Sequence, residues 1–441
     1  VATGEVVDRI GYEDGTLRVE GLSVGELAGK FGTPLFIYSK KELLSRLERM
    51  KQAFSAVGPT ICFAVKSLSN IHILTDLAAA GCGFDIVSGG ELYRVREAGA
   101  DMRSVVYAGV GKTDRELSEA IGAGVGLFNV ESEEELAVLE KIAQERGARV
   151  EAALRINPDI DPGTHDFIST GKKETKFGID IDRAFAVFDA VKNSPSVHLC
   201  GIHFHLGSGG HSAEPYAEAA RTGVDLVCRL RSRGHELRYL DLGGGFGNDY
   251  LSGESPAIEE YASAIVPHIK GTGLRLILEP GKSIAANSGI LVGRVLFRKQ
   301  GGSKTFIILD AGMNDLIRPP LYGAFHFIWP AEAAEDQIPL RMEERMDLPG
   351  LEKVDVVGPI CESSDFFAKE RYLPHLERGD LLAIFSAGAY GSAMSSNYNS
   401  RGLLPEVLVD GNEAVLIRRR QDYEDLLGLE RLSGNNCIGK N

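Results

Sequence analysis

The stretch from 199 to 281 contains three short apolar runs, LCGIHFHLGS (199–208), LRYLDLGGG (237–245) and LRLILEPG (274–281). Each ends in small or polar residues. Runs of this length without strict alternation are what strands buried on both faces look like, as in a parallel sheet. Reading back towards the N-terminus, the unit repeats in TICFAVK (60–66), GFDIVS (83–88), SVVYAG (104–109), GLFNV (126–130) and VEAALRIN (150–157). Between the runs lie helical patterns such as EEELAVLEKIAQERG (133–147). Ser39 with Glu42, Thr113 with Glu116 and Ser132 with Glu135 have the spacing of capping boxes. Eight βα units in series predict a (β/α)8 barrel, with a doubly wound open sheet as the structural alternative.

Outside this series the texture changes. ILVGRVLFRK (290–299) and TFIILD (305–310) read as antiparallel strands, and EVLVDGNEAVLIRRR (406–420) as a hairpin turning at Asp410-Gly411. The first thirty residues also look β-like. The expected organisation is a barrel over 31–282, inserted into a discontinuous β-rich domain of 1–30 and 283–430. Residues 431–441 read as a loose tail.

Composition narrows the function. Among 441 residues, 48 Lys+Arg face 62 Asp+Glu, a formal charge of −14 that argues against nucleic acid or an anionic membrane as partner. No run approaches the length of a membrane span. The six cysteines are scattered and never spaced as CxxC, which reads as reduced intracellular thiols. The start shows no secretory profile. A cytoplasmic enzyme is expected, or a plastid one if a transit peptide preceded Val1.

In a barrel of this kind the chemistry sits where the strands end. Period two puts Cys62, Ala64 and Lys66 on one face of the first strand. A lysine at the top of an inward face is paired with an acid or tuned for amine chemistry. Lys66 alone would read equally as a snorkelling surface residue. DLGGGFG (241–247) and EPGKS (279–283) follow the seventh and eighth strands, where barrels bind phosphate through backbone N–H groups. A plain tight turn would explain the glycines as well, and Asn248 at the third glycine position spoils a dinucleotide fingerprint. His203 and His205, two apart on a strand, share a face. They read as a metal pair, a core histidine or an imidazole stacked on an aromatic cofactor. Taken together, Lys66, the glycines, the histidine and Glu279 suggest pyridoxal 5'-phosphate. That cofactor needs a covalently binding lysine, a phosphate site and an acid for its ring nitrogen.

The motifs resemble those of the fold-type III pyridoxal phosphate decarboxylases over residues 30–430. FAVKSLSN around Lys66, HFHLGSG around His205 and Ser208, DLGGGFG and EPGKS look like the family at large. MNDLIRPPLYGAFH (313–326), GPICESSDF (358–366) and GAYGSAMSSNYNSR (388–401) look like its diaminopimelate branch. The resemblance implies that Lys66 holds the cofactor, His205 stacks on its ring and Glu279 meets its nitrogen. Ser208, Gly244, Gly245 and Tyr390 would hold the phosphate, with Asp85 on the lysine side. Cys361 would be the proton donor after CO2 leaves. Glu362 would bind the substrate's distal ammonium and Arg318 and Tyr322 its distal carboxylate, with Lys282 and Tyr390 also binding the dicarboxylate substrate. Taken singly, Cys361 reads as a small hydrophobe, Arg318 as a solvated charge, and both tyrosines as packing aromatics. Lys282 departs from the family, which carries Arg there. The resemblance further implies decarboxylation of meso-2,6-diaminopimelate to L-lysine, and a homodimer whose partner completes the site. Alternatives are decarboxylation of ornithine, arginine, carboxynorspermidine or a carrier-bound glutamate, a racemase of the same fold, and a non-catalytic homologue that acts as a binding partner.

Overall fold

The computed structural model of the protein describes residues 9–160, 176–207, 212–248, 255–344 and 346–431. Ser208, His211 and the tail from 432 lie outside the described residues. The chain divides into two compact units, Glu42–Asn287 and Val1–Lys41 with Ser288–Asn441.

The first unit contains the eight strands anticipated from the apolar runs. They are β1 (Thr60–Ala64), β2 (Gly83–Ile86), β3 (Val105–Tyr107), β4 (Leu127–Val130), β5 (Val150–Asn157), β6 (Val197–His203), β7 (Tyr239–Asp241) and β8 (Arg275–Leu278). All neighbours pair in parallel, β8 pairs with β1, and β4 with β5, so the sheet closes on itself. An inner layer of Cys62, Val106, Leu127, Ala153, Cys200 and Ile277 fills the barrel with apolar side chains. The helices between strands are amphipathic, and their caps follow the expectation only in part. Thr113 and Glu116 make a full capping box. Ser132 accepts from the Glu135 N–H, while the Glu135 carboxylate accepts from Glu131 N and Lys112. Ser39 donates to Glu20, and Glu42 pairs with Arg46.

In the second unit, Gly289–Gly301 pairs antiparallel with Lys304–Leu309, and Glu406–Asp410 with Glu413–Arg418 about the expected turn. The N-terminal thirty residues supply a small three-stranded sheet and a helix, Val24–Phe31. The boundaries differ from the sequence expectation. Leu35–Ser39 pairs antiparallel with Gly289–Val292 and parallel with Glu406–Val409, and all five of its residues are buried. LFIYS therefore belongs to the β-rich unit, and the division falls at 41/42 and 287/288 instead of 30/31 and 282/283.

Candidate active site

In the barrel unit, β1 stops at Ala64, and Lys66 stands on a single 3-10 turn, Val65–Ser67, not in the strand. The Ser67 hydroxyl donates to Ala64 O at 2.7 Å and closes this turn. Lys66 Nζ lies 2.5 Å from Asp85 Oδ2. Asp85 is wholly buried in β2, and its Oδ1 has no hydrogen-bond partner in the protein. Burial and then the charge of Glu279 push the Asp85 carboxyl up to about 7, against the pull of Lys66. A carboxyl titrating there can exchange a proton with the Lys66 amine near neutrality.

Glu279 follows β8 directly and is buried. Its Oε2 lies 3.6 Å from His203 Nε2, an ion-pair distance. Its Oε1 accepts from Asn129 Nδ2 at 3.2 Å, and the same amide donates to Asp241 Oδ2 at 3.0 Å. Burial pushes the Glu279 carboxyl up. His203, then Lys66, outweigh burial and hold it well below the ordinary carboxylate range. His205 follows β6 and accepts from Gly244 N at 3.2 Å on Nδ1. Burial, then Arg155, drops it well below the usual imidazole range, so its ring is neutral. A neutral ring suits stacking on an aromatic face.

The glycines after β7 are required by backbone approach. Gly245 has φ +87°, and a Cβ there would sit 1.8 Å from Gly207 O; at Gly244 it would sit 2.1 Å from Glu279 O. The turn thus packs main chain against the ends of β6 and β8. Lys282 opens the short helix Lys282–Ala285 just beyond.

The unpartnered buried atoms test whether pyridoxal phosphate fits. Asp85 Oδ1, Asn129 Oδ1 and His203 Nδ1 have no protein partner although each is buried. They cluster around an amine and an anionic carboxylate at the strand ends, which suits a polar heteroaromatic aldehyde. The ligand atoms of His203, His205 and Glu279 lie within 4.8 Å of one another, close enough for a metal on spacing alone. The lysine beside them favours the organic cofactor. A second group, Glu151, His198 and Cys200, sits nearer the strand starts. Arg238 donates to Glu151 Oε1 at 2.5 Å and lies 3.1 Å from His198 Nδ1, so a guanidinium fills that space.

In the β-rich unit, three motifs are tied together by their backbones. Asp365 accepts from Met313 N at 2.7 Å and from Ile360 N at 2.6 Å, holding the MNDLIRPPLYG segment beside GPIC. Asn399 Oδ1 accepts from Cys361 N at 3.0 Å, and Ser396 N donates to Asn314 O at 2.8 Å, which adds the third. Arg318 begins the helix Arg318–Tyr322 and is buried. Its Nη1 donates to His326 Nε2 at 2.9 Å, while His326 Nδ1 donates to Phe385 O at 2.9 Å. This tautomer fixes the guanidinium from behind. Tyr322 is 40% exposed, and Cys361 and Glu362 are exposed, with Tyr398 donating to Glu362. Tyr390 has φ 58°, a left-handed conformation that a bulky residue adopts only where its surroundings enforce it.

Sequence reasoning missed Asn129, Asp241 and His326. Asn129 and Asp241 were findable as polar residues ending apolar runs; nothing local marks His326.

Residues 40–286 match the pyridoxal-binding domain of the pyridoxal-dependent decarboxylases. The diaminopimelate decarboxylase of Aquifex aeolicus is 44% identical over 94% of this chain and 95% of its own. The chain belongs to the diaminopimelate decarboxylase family. That of Pseudomonas aeruginosa is 44% identical over 97% of the chain and 99% of its own length. Among solved structures, the Helicobacter pylori diaminopimelate decarboxylase complexed with L-lysine matches with TM-score 0.85 and 40% identity, covering 92% of this chain and 98% of its own. The diaminopimelate decarboxylase from m. jannaschii, also solved in complex with L-lysine, matches with TM-score 0.89 and 35% identity, covering 97% of this chain and 98% of its own. As a member of this family the protein is a pyridoxal phosphate-dependent amino-acid decarboxylase of fold type III, and pyridoxal phosphate is its cofactor. Among the described residues, no helix is long and apolar enough to cross a membrane.

Proposed function

We infer that the chain decarboxylates meso-2,6-diaminopimelate to L-lysine and CO2, the last step of lysine biosynthesis. The observation that carries this is Lys66 paired with buried Asp85 beside the anionic Glu279, in a chain 44% identical to diaminopimelate decarboxylases over nearly its whole length. When bound, pyridoxal phosphate supplies an electron sink for the pair left as CO2 departs. Lys66 would hold the cofactor, and Asp85 would hold the proton exchanged with Nζ. Glu279 would meet the ring nitrogen as an anion, and neutral His205 would lie against the ring. Gly244, Gly245, Ser208 and Tyr390 would hold the phosphate. Cys361 delivers a proton to the substrate's Cα. Arg318 and Tyr322 read the distal carboxylate, and Glu362 the distal ammonium. Supplied separately with meso-diaminopimelate, ornithine and lysine, the enzyme releases CO2 from the first alone. Equal release from ornithine would overturn the assignment.

Lys282 stands where the family usually has Arg. A guanidinium grips a carboxylate with two parallel hydrogen bonds, and an ammonium cannot. Lys282→Arg is expected to raise kcat/KM for the dicarboxylate about three- to tenfold, mostly through KM. An unchanged kcat/KM would remove Lys282 from the substrate site.

We place the enzyme in the cytoplasm, consistent with five described cysteines that are all free thiols. A head-to-tail homodimer accounts for exposed Cys361 and Glu362, which the partner copy would cover. Light scattering checks this, and a monomeric mass for the active enzyme would refute it.

A further inference from the structure

We propose that Asn129 and Asp241 are positioning residues that hold the Glu279 carboxylate in one orientation as an anion. The inference rests on the proposed function, in which Glu279 partners the ring nitrogen. Asn129 lies near the end of β4, which stands across the barrel from β8, the strand that Glu279 directly follows. Its single NH2 group serves two buried carboxyls, Asp241 Oδ2 at 3.0 Å and Glu279 Oε1 at 3.2 Å. Asp241 is fixed in turn, because its Oδ1 accepts from Gly243 N at 2.8 Å. The fold itself does not call for these polar groups. The layer beneath them is apolar, and a leucine at 129 would fill the barrel without an unsatisfied amide.

Two carboxyls meeting at one buried amide cannot both ionise without large cost, so one keeps its proton. The surroundings decide which. His203, 3.6 Å away, and Lys66 act on Glu279 and favour its charged form against its burial. Burial, then the charge of Glu279, push Asp241 well above the ordinary range. Asp241 therefore keeps the proton, and Asn129 is the donor that reaches both carboxyls. Together they orient the anion and supply no proton to the substrate.

The test loads the apoenzyme with pyridoxal phosphate or with its 1-deaza analogue, in which a C–H replaces the ring nitrogen. Asn129→Leu is expected to lower kcat with pyridoxal phosphate about 10- to 100-fold and leave KM within about twofold. Its dissociation constant for pyridoxal phosphate rises about tenfold, and that for the deaza analogue stays at the wild-type value. Asn129→Ala, which adds no volume, gives the same comparison if the leucine variant is unstable. Asp241→Asn keeps a neutral partner for the Asn129 amide and should remain within about threefold of wild type. Equal losses with both cofactors, an unchanged kcat, or an Asp241→Asn variant as impaired as Asn129→Leu would each overturn the proposal. Failure of the wild type to develop a visible cofactor band or to release CO2 would instead refute the proposed function.

Discussion

Lys66→Ala loses the visible absorbance of the bound cofactor, and CO2 release from diaminopimelate falls by on the order of 10⁴-fold or more. The magnitude follows from the place of Lys66. It stands on a one-turn segment closed by Ser67, with its amine 2.5 Å from a buried acid. The variant should fold. The Lys66 side chain is 37% exposed, and its loss leaves Asp85 free to take a proton, since that carboxyl already titrates near neutrality. Absorbance and single-turnover CO2 release are measured on the same sample. A retained cofactor band with near-normal turnover would show that another residue binds the cofactor.

Arg318→Met has the second largest effect. The arginine is buried and fixed by His326, whose own proton is committed to Phe385 O. Methionine keeps most of the volume and removes the charge. The distal carboxylate of the substrate is then left without its cation, and kcat/KM for diaminopimelate is expected to fall by on the order of 10³-fold. The loss should be confined to dicarboxylates. Binding of the product L-lysine, which lacks the distal carboxylate, should differ between the variant and the wild type by less than about threefold. An equal loss of lysine binding would mean that Arg318 supports the fold and does not select the substrate.

The barrel was legible because buried parallel strands leave short apolar runs whose ends carry the polar residues. That rule led directly to Lys66, Asp85, His205 and Glu279. Period two did not show where pairing stops, so Lys66 read as a strand residue when the strand had ended two residues earlier. The same blindness shifted the domain boundary. LFIYS is buried on both faces, as a barrel strand would be, and its partners lie far along the chain. Asn129 in GLFNV passed unmarked, because its role depends on carboxyls from β7 and from just after β8 that only closure of the barrel brings near. Arg318 and Glu362 were found by resemblance alone. The way Asp365 ties their segments together is a matter of backbone hydrogen bonds, which carry no residue-type signal.

Strand Leu35–Ser39 has a consequence for synthesis. It leaves the ribosome early, yet its first partner emerges about 250 residues later and its second later still. Throughout that interval the barrel strands appear one after another, each beside the neighbour it pairs with. The nascent chain can therefore close the barrel while an apolar five-residue segment still waits unpaired at its N-terminal side. Such a segment is a natural target for a chaperone or for mispairing with another nascent chain.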